Sequence, residues 1–399
     1  MKNLKIKPDV WIYTILIAIS LIFENKKIGN WSLAYFISLP IMLIIIIISI
    51  KKNPIIKKDE LKNGFVFLAF SVFFSAVTIF LYFLHPIYTG SFTRGISNNL
   101  FMLLSAIMAI LFFHSDKENT IKVFFNACCI AYGYEILIYI YANGIENVIR
   151  NYFTSNELEI HKYGYIFGLF ILYYFALKTN KESSDKWRKI LAIMFCLLVG
   201  KRIVEVAVIF LIIFSRILKG LSVKKVRFLS VLLIIGIYFF INSIHSGSLQ
   251  ELATKYDIDF SGRFIYYDLV DNYYDVSIGY IGYGIGFVDK IMNNALKSNS
   301  ISFSAGLHND LLRYYIDLGF IFFGLWCIFY MIYLPTFYAR EYDKKMYNIV
   351  FIIILYNFIN YMVSNLTTSY HYNMIYIVVI LNIANYMKKY NNKGEKVNG

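Results

Sequence analysis

Long apolar runs broken by short polar segments set the character of this chain from one end to the other. A bilayer core of ~30 Å is crossed by a helix of roughly 17 to 25 apolar residues. Runs of about that length fall near 9–23, 31–50, 64–84, 96–113, 121–143, 163–177, 187–200, 203–218, 226–244, 312–336, 347–366 and 372–387. The pattern predicts an all-α, polytopic integral membrane protein of about 12 transmembrane helices, one integral domain over residues 1–399. The two runs on either side of Gly200 are short for spans. Joined as a single helix they would strand Lys201 and Arg202 at mid-membrane, where charge is costly, so a hairpin with Gly200, Lys201 and Arg202 at its tip is expected instead.

One connection departs from the rest. Residues 245–311, between spans nine and ten, carry apolar and aromatic side chains throughout, as in GRFIYYDLVDNYYDVSIGYIGYGIGF from Gly262 to Phe287. A connection this long is functional or disordered, and this composition predicts a folded loop. The first run is followed by ENKKIGN and lacks a small-residue cleavage site, so it is expected to be a retained helix.

Composition strengthens the membrane reading: 58% hydrophobic residues, 19% aromatics and a mean hydropathy of +0.57 exceed what a soluble domain carries. A net charge of +14 raises nucleic acid as a partner. Its distribution argues otherwise. With both termini cytoplasmic, 27 of the 39 Lys and Arg residues fall in cytoplasmic segments and 12 outside, which is the positive-inside bias. No nucleic-acid partner is expected, and the large loop is placed on the outer face. Cys128, Cys129, Cys196 and Cys327 all lie in apolar segments, with no disulfide framework or zinc pattern.

Candidate chemistry concentrates where the loop meets the tenth run, in GLHNDLLRYYIDLGFIFFG from Gly306 to Gly324. If a helix begins near Asn309, then Asp310, Arg313, Tyr314 and Asp317 share one face. One reading is a stripe, Asp310 to Arg313 to Asp317, that neutralises itself at the span entry. His308 lies outside that stripe, just before the helix, where an imidazole of ordinary pKa ~6.5 suits proton transfer at a membrane surface. Arg202 at the hairpin tip and Arg263 early in the loop carry the forked donors suited to phosphate. Against this, Arg202 has Glu205 one turn on, and Arg263 reads equally as a solvated loop charge. No HExxH, GxSxG or phosphate-loop pattern is present, so neither a metal nor a cofactor is expected.

KRIVEVAVIFLIIF at the hairpin, SGR and YGIGF in the large loop, and HNDLLRYYIDLGFIFFG entering span ten occur together in this order. The combination resembles the O-antigen and capsule polymerase (Wzy-type) and O-antigen ligase superfamily of bacterial envelope proteins, in topology over the whole chain and in motif over its second half. The matching positions are Arg202, Arg263, His308, Gly282, Gly284, Gly286 and Gly319. Lys201 stands where family members often carry Ser, which leaves polymerase and ligase both open.

The resemblance implies a metal-independent, inverting glycosyltransferase in the bacterial cytoplasmic (inner) membrane. Its donor would be an undecaprenyl-pyrophosphate-linked oligosaccharide, and its partners would include a flippase and a chain-length regulator. Arg202 and Arg263 are then expected to hold the pyrophosphate, and His308 to activate or orient the acceptor hydroxyl. Lys201, Asn309, Asp310, Arg313 and Asp268 are supporting candidates, with Asp268, Asp271 and Asp310 as reserve bases. Tyr266, Tyr267, Tyr273, Tyr274 and Tyr314 are candidate sugar platforms. Alternatives are a ligase that passes the glycan to a lipid A core or another acceptor, and a lipid-linked oligosaccharide flippase.

Overall fold

The computed structural model describes residues 8–24, 26–28, 31–53, 58–85, 89–147, 162–176, 183–258, 260, 262–298, 300–301 and 306–395. Ser261 of the SGR motif lies outside the described residues. Among the described residues the fold is all-helical, apart from a two-residue antiparallel ladder between Lys27–Ile28 and Trp31–Ser32. In chain order the helices are α1 (Pro8–Phe23), α2 (Leu39–Lys52), α3 (Lys58–Leu84), α4 (Thr89–Ser115), α5 (Thr120–Asn143), α6 (Lys162–Ala176), α7 (Ser183–Val199), α8 (Arg202–Leu218) and α9 (Val223–His245). There follow α10 (Ser248–Lys255), α11 (Arg263–Asp271), α12 (Phe287–Lys297), α13 (Asp310–Ile328), α14 (Leu334–Glu341), α15 (Lys344–Tyr361) and α16 (Tyr370–Glu395). Among the described residues, five helical stretches are long and apolar enough to cross a membrane: Ala34–Lys52, Gly64–Leu84, Thr120–Asn143, Val223–His245 and Asp310–Glu341. Leu137, Phe239 and Phe83 are 68%, 70% and 81% exposed, an apolar surface suited to lipid.

Local signals explain several helix ends. Gly200 takes a left-handed conformation (φ 67°) that ends α7, so the apolar stretch on either side of it is two helices. Ser222 caps α9 by accepting from the Lys225 amide, and Asp343 caps α15 by accepting from the Lys345 amide.

The chain forms two compact units, each assembled from separated segments. The first comprises 1–68, 104–214 and 370–399. Here α1 packs on α5 and α6 on α7, and α16 joins both α5 and α6. Tyr132 sits in an aromatic cluster, its ring 5.6 Å from Tyr163, 5.6 Å from Phe167 and 5.3 Å from Phe195. A buried polar knot ties the end of α1 to the start of α16. His371 Nε2 lies 2.8 Å from Ser20 Oγ, and His371 Nδ1 lies 3.2 Å from Glu24 Oε2. The Ser38 hydroxyl donates to the Ser20 carbonyl at 3.0 Å.

The second unit comprises 69–103 and 215–369. Its spine is α9 packed on α13, where the Tyr238 hydroxyl donates to the Phe320 carbonyl at 2.7 Å. A continuous helix was expected over 312–336. The structure differs: Gly319 is non-helical (φ 78°, ψ 173°), a π-helical turn follows at Phe329–Tyr333, and α14 completes the stretch. The break has a visible cause. The segment Tyr280–Gly284 lies against it, with the Phe320 amide donating to the Tyr280 carbonyl at 3.1 Å and the Gly284 amide to the Asp317 carbonyl at 2.7 Å. Ile281 and Gly319 pair as an antiparallel bridge. A Cβ on Gly282 would overlap the backbone of 317–319, and one on Gly319 would overlap the Gly282 amide. Neither position tolerates a side chain, and that close approach requires glycine at both. The connection from α9 to α13 is accordingly structured, with three short helices among its described residues.

Candidate functional site

The corner that holds His308 is built from three elements of the second unit. Asn309 has extended backbone (φ −153°) and caps α13, its side-chain oxygen accepting from the Leu312 amide at 3.0 Å. Its amide nitrogen donates to the Tyr267 hydroxyl of α11 at 3.4 Å. Asp310 is fully buried and binds the turn before α16. Its amide donates to the Ser364 carbonyl at 3.2 Å, and its Oδ2 accepts from the Thr367 amide at 2.8 Å. His308 itself is half-buried with φ 52°, a left-handed conformation uncommon outside glycine. Cap, phenol contact and carboxylate anchor together fix a strained peptide beside the imidazole, a situation met at functional sites. The Tyr266 ring lies edge-on to the imidazole at 6.5 Å.

Arg263 belongs to the same neighbourhood. It is the first residue of α11, follows Gly262 in a left-handed turn (φ 71°), and is half-buried. Tyr267 follows one turn later on the same ridge. Burial pushes the Tyr267 phenol above its ordinary range, while the Asn309 hydrogen bond and the Arg263 charge act in the opposite sense. α11 thus brings a guanidinium at a helix N-terminus, where anions are favoured, toward the His308 corner.

Arg313 does not pair with Asp317 as the stripe predicts. Its Nη1 lies 3.4 Å from Asp310 Oδ1, and its Nη2 lies 4.0 Å from Asp289 Oδ2 of α12. Asp317, also fully buried, instead accepts from the Gly286 amide at 2.9 Å and the Val288 amide at 3.1 Å. It therefore caps α12 from a distant part of the chain. The preference of a carboxylate for a helix N-terminus accounts for the choice.

Asp268 is exposed. Asp271 joins His245, with Oδ1 and Nδ1 2.8 Å apart. Arg202 opens α8 in the first unit, exposed, with Lys201 just before it. The tyrosines expected as sugar platforms are engaged in packing. Tyr266 and Tyr267 are 7% and 4% exposed, Tyr273 lies 5.6 Å from the Phe287 ring, and Tyr314 lies 5.2 Å from Trp326.

Three contributors escaped the sequence reading: Asp289 beside Arg313, Thr367 on Asp310, and the His245–Asp271 pair. All involve partners 24 or more residues apart, for which no spacing rule exists. Comparison with known proteins finds no matching family model and no matching curated protein.

Proposed function

We propose that the protein is a polytopic glycosyltransferase of the bacterial cytoplasmic membrane, with twelve spans and both termini cytoplasmic. In this reading it joins lipid-linked oligosaccharide repeats into a polysaccharide on the outer face of the membrane. The observation that carries the proposal is the linkage Arg263–Tyr267–Asn309–His308 within the second unit: a cation, a bridging phenol and an imidazole on a strained peptide, held by three elements. The family resemblance at Arg263 and His308 supplies the substrate class.

The chemistry asks for what this corner offers. A departing pyrophosphate requires positive charge, and Arg263 at the start of α11 provides a fork of donors at a helix N-terminus. An acceptor hydroxyl must be oriented toward the anomeric carbon, and His308 is the polar side chain at the centre of the corner. Asn309 and Asp310 act by holding His308, since both are buried and bound to neighbouring elements. The ligase alternative uses the same donor and differs in the acceptor.

Clean deletion followed by glycan electrophoresis tests the proposal. Loss of a polymerase leaves single repeats attached to their final acceptor. Loss of a ligase leaves long chains on the lipid carrier. An unchanged glycan profile would remove the glycosyl-transfer reading altogether.

A further inference from the structure

α11 carries a second imidazole site at the end opposite Arg263. His245, the last residue of α9, has its Nδ1 2.8 Å from Oδ1 of Asp271, the last residue of α11. The Tyr274 ring lies 4.9 Å from the imidazole. The two side chains are 33% and 41% exposed, so the imidazole is reachable while its Nδ1 is occupied by a carboxylate. A partner of this kind fixes the tautomer, directs Nε2 outward as a proton acceptor and stabilises the imidazolium that forms. Tyr315 of α13 stands behind Tyr274, rings 6.0 Å apart, and Glu251 and Lys255 of the adjoining α10 are exposed. Asp271 is thus the charged group in direct contact.

α11 also sets the spacing between this pair and the His308 corner. Arg263, Tyr267 and Asp271 recur every four residues and so lie along one ridge of the helix. At a rise of 1.5 Å per residue, steps of four are ~6 Å and the whole ridge spans ~12 Å. Tyr267, in the middle, reaches Asn309 and thereby the His308 corner. The ridge therefore presents a cation at one end, a His308 contact at the centre and a carboxylate-oriented imidazole at the other end. That length accommodates a diphosphate, the sugar it carries and the acceptor hydroxyl.

We propose that His245, oriented by Asp271, is the proton acceptor for the acceptor sugar, with the pyrophosphate of the lipid-linked donor at the Arg263 end and His308 orienting the acceptor between them. The inference rests on the glycosyl-transfer reading above. In the step, the acceptor O–H gives its proton to His245 Nε2 as the new O–C1 bond forms. The bond from C1 to the phosphate oxygen breaks, and the pyrophosphate leaves with the electron pair. The imidazolium, paired with Asp271, then returns its proton to solvent.

The test uses the full-length protein in detergent and, as substrate, the lipid-linked glycan extracted from the deletion strain. His245→Gln should lower turnover by about 100-fold or more with little change in KM, the scale of a lost general base. Asp271→Asn keeps the hydrogen bond and removes the charge. It should lower turnover by about tenfold or more with little change in KM, since the imidazole keeps its place and loses the charge that stabilises the imidazolium. Should His245→Gln fail to accumulate, the split between turnover and KM in Asp271→Asn decides. Wild-type turnover in His245→Gln, or wild-type turnover in Asp271→Asn, would identify the pair as a surface staple and overturn the assignment. A wild-type protein that leaves the extracted glycan unchanged overturns the function and this inference together.

Discussion

Removing the Asp317 carboxylate tests whether the large connection is locked to α13. In Asp317→Ala the amides of Gly286 and Val288 lose their acceptor, and both bonds are buried. Each buried donor left unpaired costs about 1–3 kcal/mol, so the local opening free energy should fall by roughly 2–6 kcal/mol. Loss of the charge at the N-terminus of α12 adds up to ~2 kcal/mol in a buried setting. The Gly284 amide still has the Asp317 main-chain carbonyl, so the segment should loosen at 286–288 first. Amide hydrogen exchange on peptides covering 280–297 is the direct assay. At 1.4 kcal/mol per factor of ten, the combined range of about 2–8 kcal/mol should accelerate exchange by about 30-fold to about 5 × 10⁵-fold, with peptides of α15 unaffected. Wild-type exchange rates at 286–288 in Asp317→Ala would refute the view that this carboxylate fastens the connection. Loss of exchange protection across all of α13 and α15 would point instead to a charge-pairing role in the helix entry.

Further outcomes follow from the same geometry. Gly319→Ala combines a conformation costing a non-glycine residue about 1–3 kcal/mol with direct overlap on Gly282, so the variant should accumulate poorly in membrane fractions by immunoblot. Arg263→Lys should lose far more polymer on glycan gels than the control Arg340→Lys, since an ammonium cannot form the bidentate fork; equal activity would make Arg263 a solvated charge. His308→Ala should abolish polymer at normal membrane abundance, whereas His308→Gln should retain a measurable part of it if the residue positions the acceptor; wild-type polymer in His308→Ala would end its place in the site. Cysteines placed at Ser248 and Ser298 should react with an impermeant thiol reagent in spheroplasts and one at Lys219 should not, with labelling confined to Lys219 inverting the proposed topology.

Hydrophobic periodicity placed several helices closely because an apolar run of helix length is a local property. The run near 226–244 became Val223–His245, and that near 121–143 became Thr120–Asn143. The same local logic separated α7 from α8 at Gly200, where two consecutive charges made a continuous span costly. It failed at Gly319. A glycine within an apolar run is common in membrane helices, and what breaks this one is backbone from Tyr280–Gly284, more than thirty residues earlier. The role of the glycine-rich segment is close backbone approach to α13. At the site, the helix start near Asn309 was legible because a helix boundary is a local property. The partners of Asp317, Asp310 and Asp271 were not, since each carboxylate was claimed by a donor or imidazole brought in by the tertiary fold.

The knot of Ser20, Glu24 and His371 has a consequence for how the chain is made. Its two halves are separated by some 350 residues, so at roughly 5–20 residues per second of synthesis the first half waits on the order of 20–70 seconds for the second. Throughout that interval Glu24 stands at the end of an apolar helix without the imidazole it will meet. The first unit closes only once α16, which begins at Tyr370, has been made. A nascent chain that stalls or terminates before Tyr370 would keep a carboxylate and a hydroxyl exposed at a position meant to be sealed, a mark by which membrane quality control can distinguish unfinished molecules from finished ones.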